Sequence, residues 1–474
     1  MTRILFAIPA LAAMASLSAV AQGQPPSTAS DLVDRTIARR AVEAVNWGIP
    51  AVNYDRMVQA MIRDAKGDFN QIVYWSGFLD SKNQTLTPNP DTTYFKPFFN
   101  TKDVGPIVLE IPPVDDGSIT GTIMDSWQAA LEDVGPAGVD KGKGGKYLIL
   151  PPDYRGDVPA GYIALPSMTY QGYALLRSIV KSSSDADVAK AVAYGRRIKL
   201  YPLSQAGNPP DTTFVDAAGV VFDSTIPYDL RFFQSLDRMV QAEPWLERDK
   251  VMIDMLKSIG IEKGKPFNPD DRTKPLIEAA AKEAQAWLSQ RFDTVFVPYF
   301  EGARWALPAA PGLVEASSTF YETPDSYPID ARGLTDYWAF STVKHLGAGQ
   351  FYLMGSKDRQ GQPLEGGSNY RLTVPANVPA SQYWSAVVYN RETHTLIRGA
   401  SRLSRSSQDP ALQKNADGTT DLYFGPRPPA GNESNWVETD PAGRFEVLVR
   451  FYGPGKPLFE KTWTLPDIEK VAAQ

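Results

Sequence analysis

The chain has 474 residues, of which 43% are hydrophobic and 22% charged; this is the balance of a folded protein of several structural units and excludes a disordered one. A formal net charge of −6 offers no basic footprint for nucleic acid or an anionic membrane. The absence of cysteine excludes disulfides, thiolate nucleophiles and Cys-based metal sites, and two histidines, His345 and His394, are too few for a three-His zinc centre.

The first residues, Met1-Thr2-Arg3, precede an apolar run from Ile4 to Val20 that closes on Ala19-Val20-Ala21. One positive charge, a short apolar core and a small-x-small end predict a signal peptide over 1–21, and hence a periplasmic or secreted protein. Residues 22–69 predict an N-terminal helical cap. Ser30-Asp31 reads as the N-cap of a helix with a stripe at Leu32, Ile37, Ala41, Val42 and Val45. Gly48 and Pro50 are expected to break it near Trp47, with a second helix over 54–64.

Residues 70–200 predict a first β-sandwich domain with trailing helices. Short β-branched and aromatic runs at 72–75, 94–99, 106–111, 120–129, 147–150 and 161–165 alternate with Gly/Pro/Asp clusters. Helices are expected over 174–181 and 185–198. Residues 201–328 read as a helical block and linker: helices over 229–241, 244–259 and 273–292, then Pro-interrupted sequence over 298–328. Residues 329–474 read as one helix, 330–345, and a second β-sandwich with strands at 351–354, 370–374, 383–389, 395–398, 422–424 and 445–452. The predicted fold is multidomain, mixed α and β, with two antiparallel β-sandwich (jelly-roll-like) units and helical segments before and between them.

Several ordered motifs run through this pattern. In the first half they are Asn46-Trp47-Gly48, Thr87-Pro88-Asn89-x-Asp91-Thr92-x-Tyr94, Pro106 to Pro112, Asp125 with Trp127, and Lys146-Tyr147 before Pro151-Pro152. In the second half they are Tyr383-Trp384-Ser385, Asn415-x-Asp417-Gly418, Asn435-Trp436, Phe445 to Pro454, and Trp463-x-Leu465-Pro466. With these the chain resembles bacterial secreted proteins pairing domain of unknown function 1254 with domain of unknown function 1214. The resemblance implies two β-sandwiches plus helical parts and brings no settled activity. Pro90 stands where the resemblance leads us to expect a polar residue.

The stretch Thr87 to Tyr94 is the most informative for function. Two prolines stiffen a polar loop, the kind of support that chemistry or binding requires. In one reading Asp91 is the base or the anion, Asn89 and Tyr94 are the orienting donors, and Asn89 and Thr92 contact a ligand. In the other, Asn89 and Asp91 close an Asx-turn on their own backbone. Asp125 and Trp127, two apart on a predicted strand, share a face; Asp125 is either a desolvated acid paired with Asp91 or simply exposed to solvent. Arg332 either reaches a substrate carboxylate or pairs with Asp336 on a helix surface. Trp75, Trp127, Trp384 and Trp436 are candidate stacking platforms. Ser341-Thr342-Val343-Lys344 matches S-x-x-K without a K-T-G partner, and Lys141 to Lys146 reads as a solvated hairpin tip. His345 is expected to cap a helix end and His394 to sit exposed in a turn.

The expectation is a protein that binds a small organic or carbohydrate-like ligand in a cleft near the Thr87–Tyr94 loop, with no cofactor or metal. The alternatives are a hydrolase or lyase using Asp91, Asp125 and Tyr94, and a structural envelope protein. A small-molecule or glycan partner is expected, with no nucleic acid and no membrane after signal cleavage; a homo-oligomer is left open.

Overall fold

The computed structural model describes residues 28–308, 316, 326–339, 343–345 and 349–472. The signal-peptide expectation, Ser341 and Thr342 therefore lie outside the described residues, as does most of the Pro-interrupted segment.

The N-terminal helix α1 runs unbroken from Ala29 to Arg63. Thr28, not Ser30, caps it: its hydroxyl accepts from Asp31 N at 3.1 Å, and the Asp31 carboxylate accepts from Thr28 N at 2.9 Å. The expected break at Gly48 and Pro50 does not occur. A Cβ on Gly48 would lie 2.9 Å from Leu236 Cδ1, so this glycine serves close packing. The buried Pro50 has its carbonyl held by Gln128 Nε2 at 3.0 Å. Burial on all sides outweighs the one backbone hydrogen bond that proline forfeits.

The first half then forms β1 (Gln71–Tyr74), β2 (Asn83–Gln84), β3 (Thr93–Asn100), β4 (Ile107–Ile111), β5 (Ile119–Asp125), β6 (Ala130–Val134), β7 (Gly145–Leu150), β8 (Ile163–Pro166) and β9 (Gln171–Ser178). Helix α2 (Asp185–Gly195), β10 (Lys199–Pro202), β11 (Phe214–Asp216) and β12 (Phe222–Asp223) follow. A six-stranded sheet, β11-β1-β3-β9-β5-β6, faces a four-stranded one, β10-β4-β7-β8. Ile72, Phe95, Ile123 and Leu176 from the first interlock with Ile107, Leu109, Tyr147 and Leu200 from the second. Strand β9 corrects the helix expected from Ala174 to Lys181. Ala, Leu and Arg favour helix, but this segment pairs with β3 on one side and β5 on the other, and tertiary pairing decides.

Helices α3 (Leu230–Ala242), α4 (Lys250–Leu256), α5 (Thr273–Val295) and α6 (Ile329–Trp338) follow. They pack with α1 in one core that also takes Val73, Phe98, Tyr173 and Leu175 from the first sandwich and Val387, Tyr389 and Leu448 from the second. No helix among the described residues is long and apolar enough to cross a membrane.

The second sandwich contains β13 (Gln350–Gly355), β14 (Asn369–Val374), β15 (Ala380–Asn390), β16 (Ser404–Ser406), β17 (Thr420–Gly425), β18 (Trp436–Glu438), β19 (Phe445–Pro454) and β20 (Glu469–Val471). The sheets β13-β19-β15-β16 and β18-β17-β14-β20 enclose Leu353, Ala386, Val447 and Val449 from one and Leu372, Leu422 and Val437 from the other. Residues 395–398 form no strand. Both sandwiches are mostly antiparallel, with parallel pairing only at β1·β11, β2·β12, β7·β8 and β17·β18.

Candidate ligand-binding site

The Thr87–Tyr94 loop is a brace between the sandwiches. Thr87, at a left-handed φ of 35°, donates its N–H to His394 O at 2.7 Å. Its carbonyl accepts from Arg450 Nη2 at 2.9 Å, and the Pro88 carbonyl accepts from Tyr389 OH at 2.5 Å. The Asn89 amide donates to Tyr383 OH at 3.1 Å and Tyr452 OH at 2.9 Å. Asn89 Oδ1 accepts from Asp91 N at 3.0 Å, so the Asx-turn is also present. Proline suits positions 88 and 90, where the fixed φ holds the loop against a neighbour that uses carbonyls and side chains.

Beside this brace lies a cavity of about 530 Å³, within the range of small-molecule sites. The pleat of the two central strands builds it. Along β9, Ala174 and Leu176 point into the first sandwich core while Leu175 and Arg177 point into the cavity. Along β19, Val447, Val449 and Phe451 point into the second core while Leu448, Arg450 and Tyr452 point into the cavity. Each sheet thus presents one arginine from its middle strand. Arg177 is in register with Tyr94 and Thr120, and Arg450 with Tyr352 and Ser385.

Both arginines are buried, with exposures of 8% and 2%. Arg177 Cζ lies 5.2 Å from the Tyr94 ring, and Arg450 Cζ lies 5.3 Å from Tyr352 and 5.5 Å from Tyr389. Arg177 donates from Nε to Tyr94 OH at 3.3 Å, while Arg450 Nη1 has no partner. Neither makes an ion pair with a carboxylate among the described residues. Burial pushes the phenols of Tyr352, Tyr383 and Tyr389 up, so they stay neutral. Trp338, Phe351 and Leu448 add apolar wall. Two cations and several phenols at one end of an apolar chamber suit a ligand with a polar head and a greasy body.

The residues singled out from the sequence divide into two groups. Thr87, Pro88 and Tyr94 line the cavity, and Asn89 backs it by holding Tyr383 and Tyr452. Thr92 is buried and does not line it. Asp91 turns its carboxylate to a second hollow of about 350 Å³, which Ser404, Arg405 and Asp409 also line. Oδ1 accepts from Ser404 Oγ at 2.7 Å, and Oδ2 is buried without a partner. Burial raises this carboxyl, opposed by the Ser404 hydrogen bond and the charge of Arg450.

Asp125, Trp127 and Arg332 gather elsewhere. Strand β5 ends at Asp125 and the chain turns, with Gln128 at φ 61°, so Asp125 and Trp127 do not share a strand face. Asp125 is buried, not solvent-facing; Oδ1 accepts from Trp127 N at 2.9 Å and Ala129 N at 2.8 Å. Burial raises its carboxyl against the charge of Arg332. Arg332 and Asp336 are both buried, so the expected surface pair is replaced: Arg332 donates to Trp127 O and Tyr327 OH. Trp127 packs on Trp47 at 4.7 Å between ring centroids.

The carboxylates of Asp91 and Asp125 do not form a pair. On β9, Thr93 is opposite Ser178 and Asp125 is opposite Gly172. Six residues of strand are about 20 Å, whereas paired carboxyls in glycoside hydrolysis stand about 5–9.5 Å apart. The four tryptophans proposed as platforms are buried and none lines the cavity; Trp338 does. His394 is buried at φ 55°, its Nδ1 2.8 Å from Glu446 Oε1, and is not exposed. Helix α6 stops at Trp338, and His345 Nε2 meets Glu132 Oε1 at 3.2 Å. Arg177 and Arg450 are the cavity-lining charges that the sequence reading missed. The available signal was a single arginine inside an otherwise apolar run.

The architecture is thus that of paired β-sandwiches joined across a braced cavity. The model of a protein of unknown function, DUF1254, matches residues 69–202, and that of DUF1214, likewise of unknown function, matches residues 349–456. The chain thus carries a DUF1254 match followed by a DUF1214 match, in that order. No curated protein matches it. It is similar to the crystal structure of the VPA0106 protein from Vibrio parahaemolyticus, with a TM-score of 0.56 and 17% identity over 92% of this chain and 100% of that one. An uncharacterised protein from Burkholderia cenocepacia aligns over 93% of this chain and 94% of its own, with a TM-score of 0.41 and 12% identity.

Proposed function

We propose that this protein, acting after export to the periplasm or beyond, binds a small organic molecule in the cavity between its two sandwiches. The carrying observation is that facing strands of both domains turn alternate residues into one chamber of about 530 Å³, with Arg177 and Arg450 among the residues that line it. A chamber walled largely by Leu175, Leu448, Trp338 and Phe351 favours an apolar body over a glycan, whose hydroxyls need a partner on every side. A hydrolase built on Asp91 with Asp125 lacks support, because the two carboxylates sit at opposite ends of β9.

The test is a thermal-shift screen of small organic compounds on the mature protein and on Leu448→Trp, which narrows the chamber at its wall. A compound that binds the folded state raises the melting temperature of the wild type. The expected result is a shift that the Trp variant loses. Shifts of equal size in both proteins would place the ligand elsewhere. N-terminal sequencing of protein recovered from the producing cells checks export, with a start at Gln22 expected.

A further inference from the structure

This inference deepens the binding reading and rests on it. The chamber's polar end has an unbalanced charge. Arg177 and Arg450 enter it from opposite sheets, both buried and neither ion-paired among the described residues. Among those residues Arg177 donates only from Nε, and Arg450 Nη1 donates to nothing. A buried cation without a counter-charge costs several kcal/mol, and arginine does not escape by losing its proton. The Asp91 carboxylate is already held by Ser404 and faces the other hollow, and Asp133, which lines the chamber, accepts from Thr122 Oγ1 and from the N–H groups of Lys344 and His345.

We infer that the ligand is an amphipathic carboxylate, its head held between Arg177 and Arg450 and its apolar body lying toward Trp338 and Phe351. The guanidinium fork matches a planar carboxylate with two parallel N–H···O bonds. Around it Tyr94, Tyr352 and Tyr452 line the same chamber and carry hydroxyls that can donate. A neutral head would leave both cations uncompensated, whereas a carboxylate shared between the two guanidiniums supplies a counter-charge that both reach. The specificity therefore falls on the head, while the body is chosen only by size and greasiness.

The experiment is calorimetric titration of the full mature chain with matched probes: straight-chain carboxylates of six to twelve carbons and the 1-alkanols of the same lengths, plus 4-phenylbutyrate and 4-phenylbutanol. At least one carboxylate is expected to bind ten-fold or more tightly than its alcohol. In Arg177→Gln that preference collapses towards unity. Arg177→Lys recovers part of it, because charge returns without the fork. A cooperative thermal unfolding transition like that of the wild type shows that Arg177→Gln is folded. Equal affinity for acids and alcohols would overturn the inference and leave the chamber as a neutral site. No binding by either series, with no effect of Leu448→Trp, would sink the binding reading itself.

Discussion

Asn89→Ala is the sharpest test of the brace. Asn89 is 1% exposed, and its side chain makes three hydrogen bonds: two donated to the hydroxyls of Tyr383 and Tyr452 and one accepted from Asp91 N. At about 1 kcal/mol each net, their loss destabilises by roughly 3 kcal/mol. The two phenols are stacked at 4.3 Å and nearly parallel, so losing their shared donor affects both. The assay is urea unfolding followed by tryptophan fluorescence, with calorimetry as a second probe because a chain of several units need not unfold in one step. A double-mutant cycle with Tyr452→Phe is expected to return a coupling on the order of 1 kcal/mol, which ties the loss to that contact. A change under about 0.5 kcal/mol, the size of an ordinary surface substitution, would refute the claim that this amide joins the sandwiches.

Three further outcomes are expected. Asp336 is buried, and that burial pushes its carboxyl from 3.8 up to about 7 against the nearby Arg332 charge. The folded chain then holds this proton more tightly than the unfolded one, so its contribution is fully present below pH 3.8 and is lost as pH rises through about 7. Asp336→Asn removes that loss: pH-dependent melting curves of variant and wild type should converge near pH 4 and separate, with the variant on the order of 2–4 kcal/mol more stable, above pH 7. Gly333→Ala would set a Cβ 2.0 Å from Asn46 Oδ1 and 2.7 Å from Asn46 O, prising α6 from α1; a loss of about 1–3 kcal/mol in urea unfolding is expected. The buried His394–Glu446 contact leaves His394 Nε2 and Glu446 Oε2 without partners. His394→Ala removes the hydrogen-bond partner of the buried Glu446 at a cost of about 1–3 kcal/mol, and changing both residues to Leu recovers most of it in the same assay.

The two sandwiches were legible where strands alternate and where Gly and Pro punctuate them; β4, β7 and β19 follow their apolar runs closely. Strand β9 was not, because Tyr-Ala-Leu-Leu-Arg has helical propensity and only its neighbours on both sides make it a strand. The unbroken α1 was hidden for a related reason: Gly48 and Pro50 signal a stop locally, and burial on every face overrides them. The loop from Thr87 to Tyr94 was found by its rigidity, yet its polar side chains were read as pointing at a ligand. Asn89 and Asp91 answer instead to residues some 300 positions later in the chain, Tyr383, Tyr452 and Ser404. Arg177 escaped notice inside the misread β9, and His394 because a turn residue is ordinarily solvated.

The alternate residues of β9 and β19 give the chamber two owners. Cut anywhere between residues 203 and 348, the protein would yield one fragment bearing Arg177 and another bearing Arg450, each with its cation facing water and no opposing wall. Neither half inherits the proposed receptor alone, so gene fusions, truncations and swaps between relatives must carry both sheets together to transmit the proposed recognition.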